Sequence, residues 1–198
     1  MTMLRPWKII KISIFCISAM ALVSVVIGLV YVTEQQNLRQ SANDPQIQIS
    51  EDIALALNSG IPPTAISQSF NQINIETSLG IFVIIYNADG TPVAASGQLN
   101  GRIPVIPHGV LDHAREWGQN RRTWEPKDDV RIASVTTPFK SSGQDGYILV
   151  GRSLREVEKR EMKLGLECAL AWLGSMVFIL FAGVLLAALS MGAKRGHT

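Results

Sequence analysis

The sequence predicts an α+β domain, an antiparallel sheet with flanking helices, inserted between two transmembrane helices. No charged residue occurs from Ile12 to Thr33 or from Cys168 to Ala193, and each run is long enough as a helix to cross the ~30 Å apolar core of a bilayer. All 16 acidic residues lie between the two runs. The same central segment contains β-branched and apolar stretches separated by Gly, Pro, Asp and Ser, which is typical of strands joined by turns.

Charge predicts which side of the membrane each segment occupies. Arg5, Lys8 and Lys11 precede the first apolar run, and Lys194 and Arg195 follow the second. Because Lys and Arg accumulate in cytoplasmic segments, both termini are predicted to be cytoplasmic and the centre extracytoplasmic, in a two-pass protein of the plasma membrane. The formal net charge of +2 combines these basic tails with an acidic centre, so it does not indicate nucleic-acid binding.

The predicted organisation has five parts. These are a cytoplasmic tail over 1–11, a transmembrane helix over 12–33, an extracytoplasmic domain over 34–167, a second transmembrane helix over 168–193 and a cytoplasmic tail over 194–198. A cleaved signal peptide is the alternative for the first helix, since basic residues precede it. The apolar run is longer than the ~7 to 15 residues usual in signal peptides, which favours an uncleaved anchor.

The membrane segments predict contact with the lipid bilayer and permit contact with other helices. Cys16 and Cys168 lie near opposite faces of the membrane in this topology, too far apart for a disulfide. Small residues recur four apart, a spacing that permits a homodimer or docking to another membrane protein. The pairs are Ser24 with Gly28, Ala171 with Ser175, and Gly183 with Ala187.

Helices are predicted where the chain enters the central domain. The polar residues after Glu34 extend the first membrane helix until Asp44-Pro45 interrupts it. A second helix is predicted from Ser50, as its N-cap, to Gly60 at the C′ position. The prolines of "IPPTAISQ" suit a turn followed by another helix start.

Five strands and one helix complete the domain. "IFVIIY" and "TPVAAS" flank Asp89-Gly90, which predicts a β-hairpin because glycine tolerates the positive φ of a tight turn. "HGVLDHAREWG" predicts a helix preceded by Pro107 and ended by Gly118. "RRTWEP", "VRIASVTTPF" and "GYILVGRS" predict three strands, with "SSGQDG" as the hairpin loop between the last two. From Leu154 the chain is predicted to be helical into the second membrane span.

This order of elements resembles the extracytoplasmic PAS-like (single Cache-type) sensor domains of bacterial receptors and sensor histidine kinases. The resemblance covers about 43–163 and lies in "FVIIYNADGTPVAASG", "IPHGVLDHARE", "VRIASVTTPF" and "GYILVGRSLREVEKRE". It implies a sensory domain whose last strand leads into the second membrane helix. The segment after Ala193 is short, and the sequence contains no HAMP linker or kinase, so a partner protein is expected to provide the output.

Candidate binding residues lie on the predicted strands after the second helix. Arg121, Arg122, Trp124 and Arg131 combine guanidinium groups with an aromatic face, which suits a small carboxylate ligand. The alternative is ordinary packing of the Arg122 stem on the Trp124 ring, because strand alternation places both on one face.

The sequence does not predict an enzyme, a metal site or a cofactor. The spacing of His108 and His113 differs from the three or four residues of helical metal pairs. No nucleophile elbow, phosphate-binding loop or dinucleotide fingerprint is present. The predicted function is therefore a membrane-anchored extracytoplasmic sensing or binding module. The alternative is a structural or accessory membrane subunit whose domain is an interaction scaffold without a ligand.

Overall fold

The computed structural model describes residues 4–141 and 144–192 and confirms a mixed helix and sheet architecture. Its elements are α1 (Leu4–Ser41), α2 (Asp44–Asn58), α3 (Pro63–Gln68), β1 (Ile73–Asn74), β2 (Ile81–Asn87), β3 (Pro92–Ala95), β4 (Gly97–Gln98), α4 (His108–Trp117), β5 (Asn120–Lys127), β6 (Val130–Ser141), β7 (Gln144–Ser153) and α5 (Arg155–Gly192). Two compact units are distinguishable. One contains α1 as far as Asn37 together with α5 from Arg160, and the other extends from Leu38 to Lys159.

The second unit is built on an antiparallel five-stranded sheet in the order β3-β2-β7-β6-β5. β2 and β7 are central and strongly apolar because both of their faces are covered. One face carries a core that includes Ile84, Leu149 and Ile132, covered by α4. The other face carries Val83 and Val150, covered by α2 and α3. The short strands β1 and β4, which the sequence did not predict, form a separate parallel pair.

The hairpin predicted at Asp89-Gly90 is confirmed. β2 pairs with β3, and Gly90 has a φ of 84°, which glycine adopts without the strain of a Cβ. The Thr91 N–H donates to Asp89 Oδ1 at 2.8 Å and also to the Asn87 side chain. The hydrogen bonding from Thr91 to the Asp89 carboxylate favours its ionised form, so the pKa of Asp89 lies below its usual value.

Two helices end at the glycines that the sequence predicts, but the N-cap predicted at Ser50 is wrong. Gly60 has positive φ at the C′ position of α2, after the C-cap Ser59, and Gly118 has positive φ at the C-cap of α4. Helix α2 starts at Asp44, so Ser50 lies inside the helix and is fully buried. Its Oγ donates to the Ile47 carbonyl at 2.8 Å. Because this bond lies within the helix, Ser50 does not cap the N-terminus of α2. The "SSGQDG" loop includes residues 142 and 143, which lie outside the described residues.

The first unit contains two helices that are long and apolar enough to cross a membrane. They contact each other through small and polar side chains. The Trp172 indole N–H donates to Ser24 Oγ at 2.9 Å, and the Cys16 thiol lies 3.9 Å from the Ile179 carbonyl oxygen. A Cβ at Gly183 would approach Cys16 Sγ to 2.7 Å, so the absence of a side chain allows this contact. Two of the small residues noted in the sequence, Ser24 and Gly183, therefore form contacts between α1 and α5 of the same chain.

Candidate functional site

A cleft of about 550 Å³ lies between β5 and the segment that joins β4 to α4, which we name the 99–107 loop. Its lining consists of Leu99, Asn100, Arg102, Ile103, Pro104, Val105, Trp124 and Pro126. These residues supply one guanidinium, one side-chain amide and one large aromatic ring to the same space. The cleft is the candidate binding site because it combines a cation with an apolar wall.

The tip of the loop is a tight two-residue turn. Leu99 and Arg102 exchange both backbone hydrogen bonds, at 2.9 Å and 3.1 Å, across Asn100 and Gly101. Asn100 has a φ of 53° and Gly101 a φ of 73°, as a type I′ turn requires. The turn places Arg102 at a fixed point of the cleft lining, with its side chain exposed.

The middle of the loop is tied to the sheet by Tyr86. The phenol of this β2 residue donates to the Pro104 carbonyl oxygen at 2.9 Å. Tyr86 is fully buried, and burial raises the pKa of its hydroxyl, so the group remains a protonated donor. Ile106 is buried in the same core and Ile103 packs against it. The loop is therefore held in place by the hydrogen bond from Tyr86 and by the apolar contacts of Ile103 and Ile106.

Trp124 forms the β5 wall of the cleft and is also a core residue. Only 8% of its surface is exposed, and it belongs to the core that α4 covers. It lies opposite the buried Ile132 of β6 in the sheet register. The ring is therefore fixed by packing and contributes an edge of rigid apolar surface to the cleft.

The structure separates the four residues that the sequence grouped. Trp124 lines the cleft, and Arg122 shares its sheet face, although Arg122 is exposed and lies outside the cleft lining. Arg121 is on the opposite face, where its Nε donates to Gln119 Oε1 at 2.6 Å. Arg131 is likewise on the face opposite Trp124, because the next residue, Ile132, is the one in register with Trp124.

Arg131 belongs to a polar junction at the start of α5. Its guanidinium forms an ion pair with Glu158 at 2.5 Å, and its carbonyl accepts from the Leu154 N–H at 2.9 Å. Nearby, the Arg155 guanidinium donates to the Glu76 carbonyl oxygen, while the Glu76 carboxylate pairs with Lys127 at 2.6 Å. These contacts give Arg131 a structural role in joining the last strands to the helix that follows them.

His108 and His113 lie on the exposed side of α4. His113 stacks on Trp117 with ring centroids 6.2 Å apart, and His108 is exposed at the helix start. Over residues 4–141 and 144–192, no group of three His, Cys, Asp or Glu side chains is placed to hold a metal ion.

Sequence reasoning missed Asn100 and Arg102. The signal that identifies them is the Asn-Gly dipeptide, a strong indicator of a tight turn, between the apolar residues Leu99 and Ile103. Comparison with known proteins adds no identification, since no protein-family model matches the chain and no curated protein is similar to it in sequence.

Proposed function

We propose that the chain is a membrane-anchored extracytoplasmic module that binds a small carboxylate-bearing ligand in the cleft and communicates with a partner protein. The observation that carries this proposal is the convergence of Arg102, Asn100 and Trp124 on one cleft. A guanidinium recognises a carboxylate through paired N–H donors, while the aromatic edge covers the apolar part of a small ligand. The sequence contains no nucleophile or phosphate-binding motif, so we assign binding rather than catalysis to this site.

Membrane anchoring is supported by the surface of α1 and α5. Large apolar side chains such as Phe15, Phe178 and Val184 are 68–70% exposed. A continuous apolar surface of this kind is unfavourable in water and favourable in the hydrocarbon core of a bilayer. The basic residues beyond the two apolar runs then favour cytoplasmic termini.

A PAS-like identity of the central domain is supported by its architecture. The antiparallel five-stranded sheet has helices against both faces, as the resemblance in the sequence implies. The last strand, β7, ends at Ser153 and α5 begins at Arg155, so the sheet leads directly into the apolar helix. This connection supports a role in which the state of the domain is passed to a partner.

Topology is testable with reporters that are active on only one side of the membrane. Fusions at the N-terminus and after Thr198 are expected to report the cytoplasm, and an insertion near Asn100 the opposite side. A cytoplasmic signal from the Asn100 insertion would overturn the proposed orientation.

Ligand binding is testable by a thermal-shift screen of the full chain in lipid nanodiscs against small carboxylates and amino acids. For any hit, Arg102→Ala is expected to weaken binding by about 1 to 3 kcal/mol, the usual cost of removing a charged hydrogen-bond partner. Arg122→Ala is the matched control, because Arg122 is exposed outside the cleft lining and its loss should leave affinity unchanged.

Trp124 requires a conservative substitution in the same experiment. Truncation to alanine would remove a core side chain and cost about 3 to 5 kcal/mol of stability, which would obscure any effect on binding. Trp124→Phe keeps an aromatic ring and is expected to reduce affinity less than Arg102→Ala. If Arg102→Ala and Arg122→Ala weaken binding equally, the ligand does not occupy this cleft.

An interaction scaffold is the second candidate function. It is favoured by the filled sheet face beneath the loop, where Ile84, Tyr86 and Leu149 are fully or almost fully buried and pack in one core. Under this alternative no small molecule binds, and capture of the full chain from membranes identifies a protein that still binds the Arg102→Ala variant.

A further inference from the structure

The start of α2 contains buried polar atoms without partners. Gln46 is fully buried, and among the described residues neither its Nε2 nor its Oε1 has a hydrogen-bond partner. Asn43 Oδ1 is also buried without a partner. Buried amides of this kind are rare in folded proteins, because the bonds they made to water are lost on burial. A second arrangement that supplies donors to the two oxygens, Gln46 Oε1 and Asn43 Oδ1, is therefore expected.

The sequence around these atoms has the spacing of a capping box. Asn43 is at the N-cap position of α2 and Gln46 is the third residue after it. In a capping box the N-cap side chain accepts from the backbone N–H of that third residue, whose own side chain accepts from the N-cap N–H. In the structure the box is not formed. Asn43 has φ −99° and ψ −15°, values of the helical region, and its side chain makes no cap bond.

The backbone of Asn43 is occupied by helical bonds instead. Its N–H donates to the Gln40 carbonyl oxygen at 3.2 Å, and its carbonyl accepts from the Ile47 N–H at 3.1 Å. The first bond uses the Asn43 N–H, which is the donor that Gln46 Oε1 would need in a capping box. The helical arrangement thus excludes the capping box, and the unpartnered amide atoms are the consequence.

We propose that residues 43–46 form a two-state cap. In the second state Asn43 moves to extended φ and ψ, and its N–H leaves the Gln40 carbonyl and donates to Gln46 Oε1. Asn43 Oδ1 then accepts from the Gln46 backbone N–H. One backbone bond is exchanged for two capping bonds, and two buried acceptors gain donors. The inference goes beyond the proposed function, since it requires no ligand.

Neighbouring residues explain why the exchange is confined to this position. Pro45 has no N–H, so the hydrogen-bond ladder of α1 cannot continue through the junction. One turn further along α2, Ser50 Oγ donates to the Ile47 carbonyl and accepts from Thr137 Oγ1 at 2.9 Å. Gln119 Nε2 in turn donates to Thr137 at 3.4 Å. Ser50, Thr137 and Gln119 thus satisfy one another and fix α2 at Ser50. The hydrogen-bond partner proposed for Gln46 is therefore Asn43.

The two states differ in chain direction. With Asn43 in the helical region of φ and ψ, α1 ends at Ser41 and α2 begins at Asp44. An extended Asn43 bends the chain at this residue, as N-cap residues normally do. The local distance from Gln40 to Leu55 therefore reports the state of the cap.

The test is a distance measurement on the full chain in lipid nanodiscs. Nitroxide labels are attached at Gln40→Cys and Leu55→Cys, both exposed positions, with Cys16 and Cys168 replaced by serine. Helical geometry over 40–55, at 1.5 Å per residue, gives about 22 Å as the upper bound of the separation in the state with helical Asn43. Pulsed electron paramagnetic resonance is expected to show this population together with a shorter one.

Variants assign the shorter population to the cap. Gln46→Leu and Asn43→Ala each remove one partner of the box and are expected to reduce that population at least fivefold. Gln48→Leu is the matched control, because Gln48 is exposed on the same helix, and it should change nothing. A single population in the unmodified sequence would overturn the proposal. So would a shorter population that survives both Gln46→Leu and Asn43→Ala, the result expected if a buried water alone satisfies Gln46.

Discussion

Replacing Gly151 with alanine should destabilise the central domain by about 3 kcal/mol or more, the upper range for overpacking of a core. Gly151 is buried in β7, in register with Phe82 of β2 and Ser134 of β6. A Cβ at this position would lie 2.8 Å from Phe82 Cε1 and 3.0 Å from Ile132 Cγ2. Phe82 cannot yield easily, because its other side is against Gly97, where a Cβ would meet the same ring at 2.8 Å. The absence of both side chains creates the space for one buried phenylalanine.

Gly109 provides the matched control for this prediction. It lies in α4, and a Cβ there meets no atom within 4 Å. Gly109→Ala should raise stability by about 0.5 to 1 kcal/mol, since alanine is preferred to glycine in helices. Both variants are measured by urea unfolding of the fragment 38–163, followed by circular dichroism and tryptophan fluorescence. A loss below about 1 kcal/mol for Gly151→Ala would show that the sheet accommodates a methyl group.

Replacing Gly90 with valine should cost about 2 kcal/mol, because two effects add. The residue has a φ of 84°, where a β-branched side chain is strained. Its Cβ would also approach Leu111 Cδ1 to 2.8 Å. Leu111 Cδ1 is the end of a flexible side chain and can shift, so this second effect is smaller than the clash at Gly151.

Gly101 separates the two effects at Gly90. Its φ of 73° is similar, and a Cβ there meets no atom within 4 Å. Gly101→Val should therefore show the backbone strain alone and cost less than Gly90→Val in the same unfolding experiment. Equal losses would mean that Leu111 contributes nothing to the requirement for glycine at position 90.

Local features of the fold were predictable from the sequence where one residue type decides the backbone. Asp89-Gly90 and Gly118 predict their turns because positive φ favours glycine there. Ser50 shows the limit of such signals. Serine favours an N-cap by local hydrogen bonding, but here tertiary packing places it opposite Thr137, where its hydroxyl is satisfied in the core.

The candidate site was less predictable because it depends on strand register. β5 contains one extra residue between Trp124 and Lys127 relative to β6. Without this bulge, Trp124 would pair with Ala133 and would share a face with Arg131. A shift of one residue moves every side chain to the other face, and no pattern in the sequence reveals it. The cleft itself combines β5 with loop residues about twenty positions earlier in the chain, and local periodicity does not relate residues so far apart.

Strand β5 forms one edge of the five-stranded sheet. Across the described residues β5 is the last strand of the sheet, with β6 on one side only. Arg121, Arg122 and Lys127 are exposed along it, and Pro126 lacks an N–H for pairing. Pairing of two copies through β5 would leave hydrogen bonds unmade at Pro126. Exposed Lys and Arg side chains and a proline are features of edge strands that disfavour pairing with another chain, so a second copy of the chain is expected to associate through another surface.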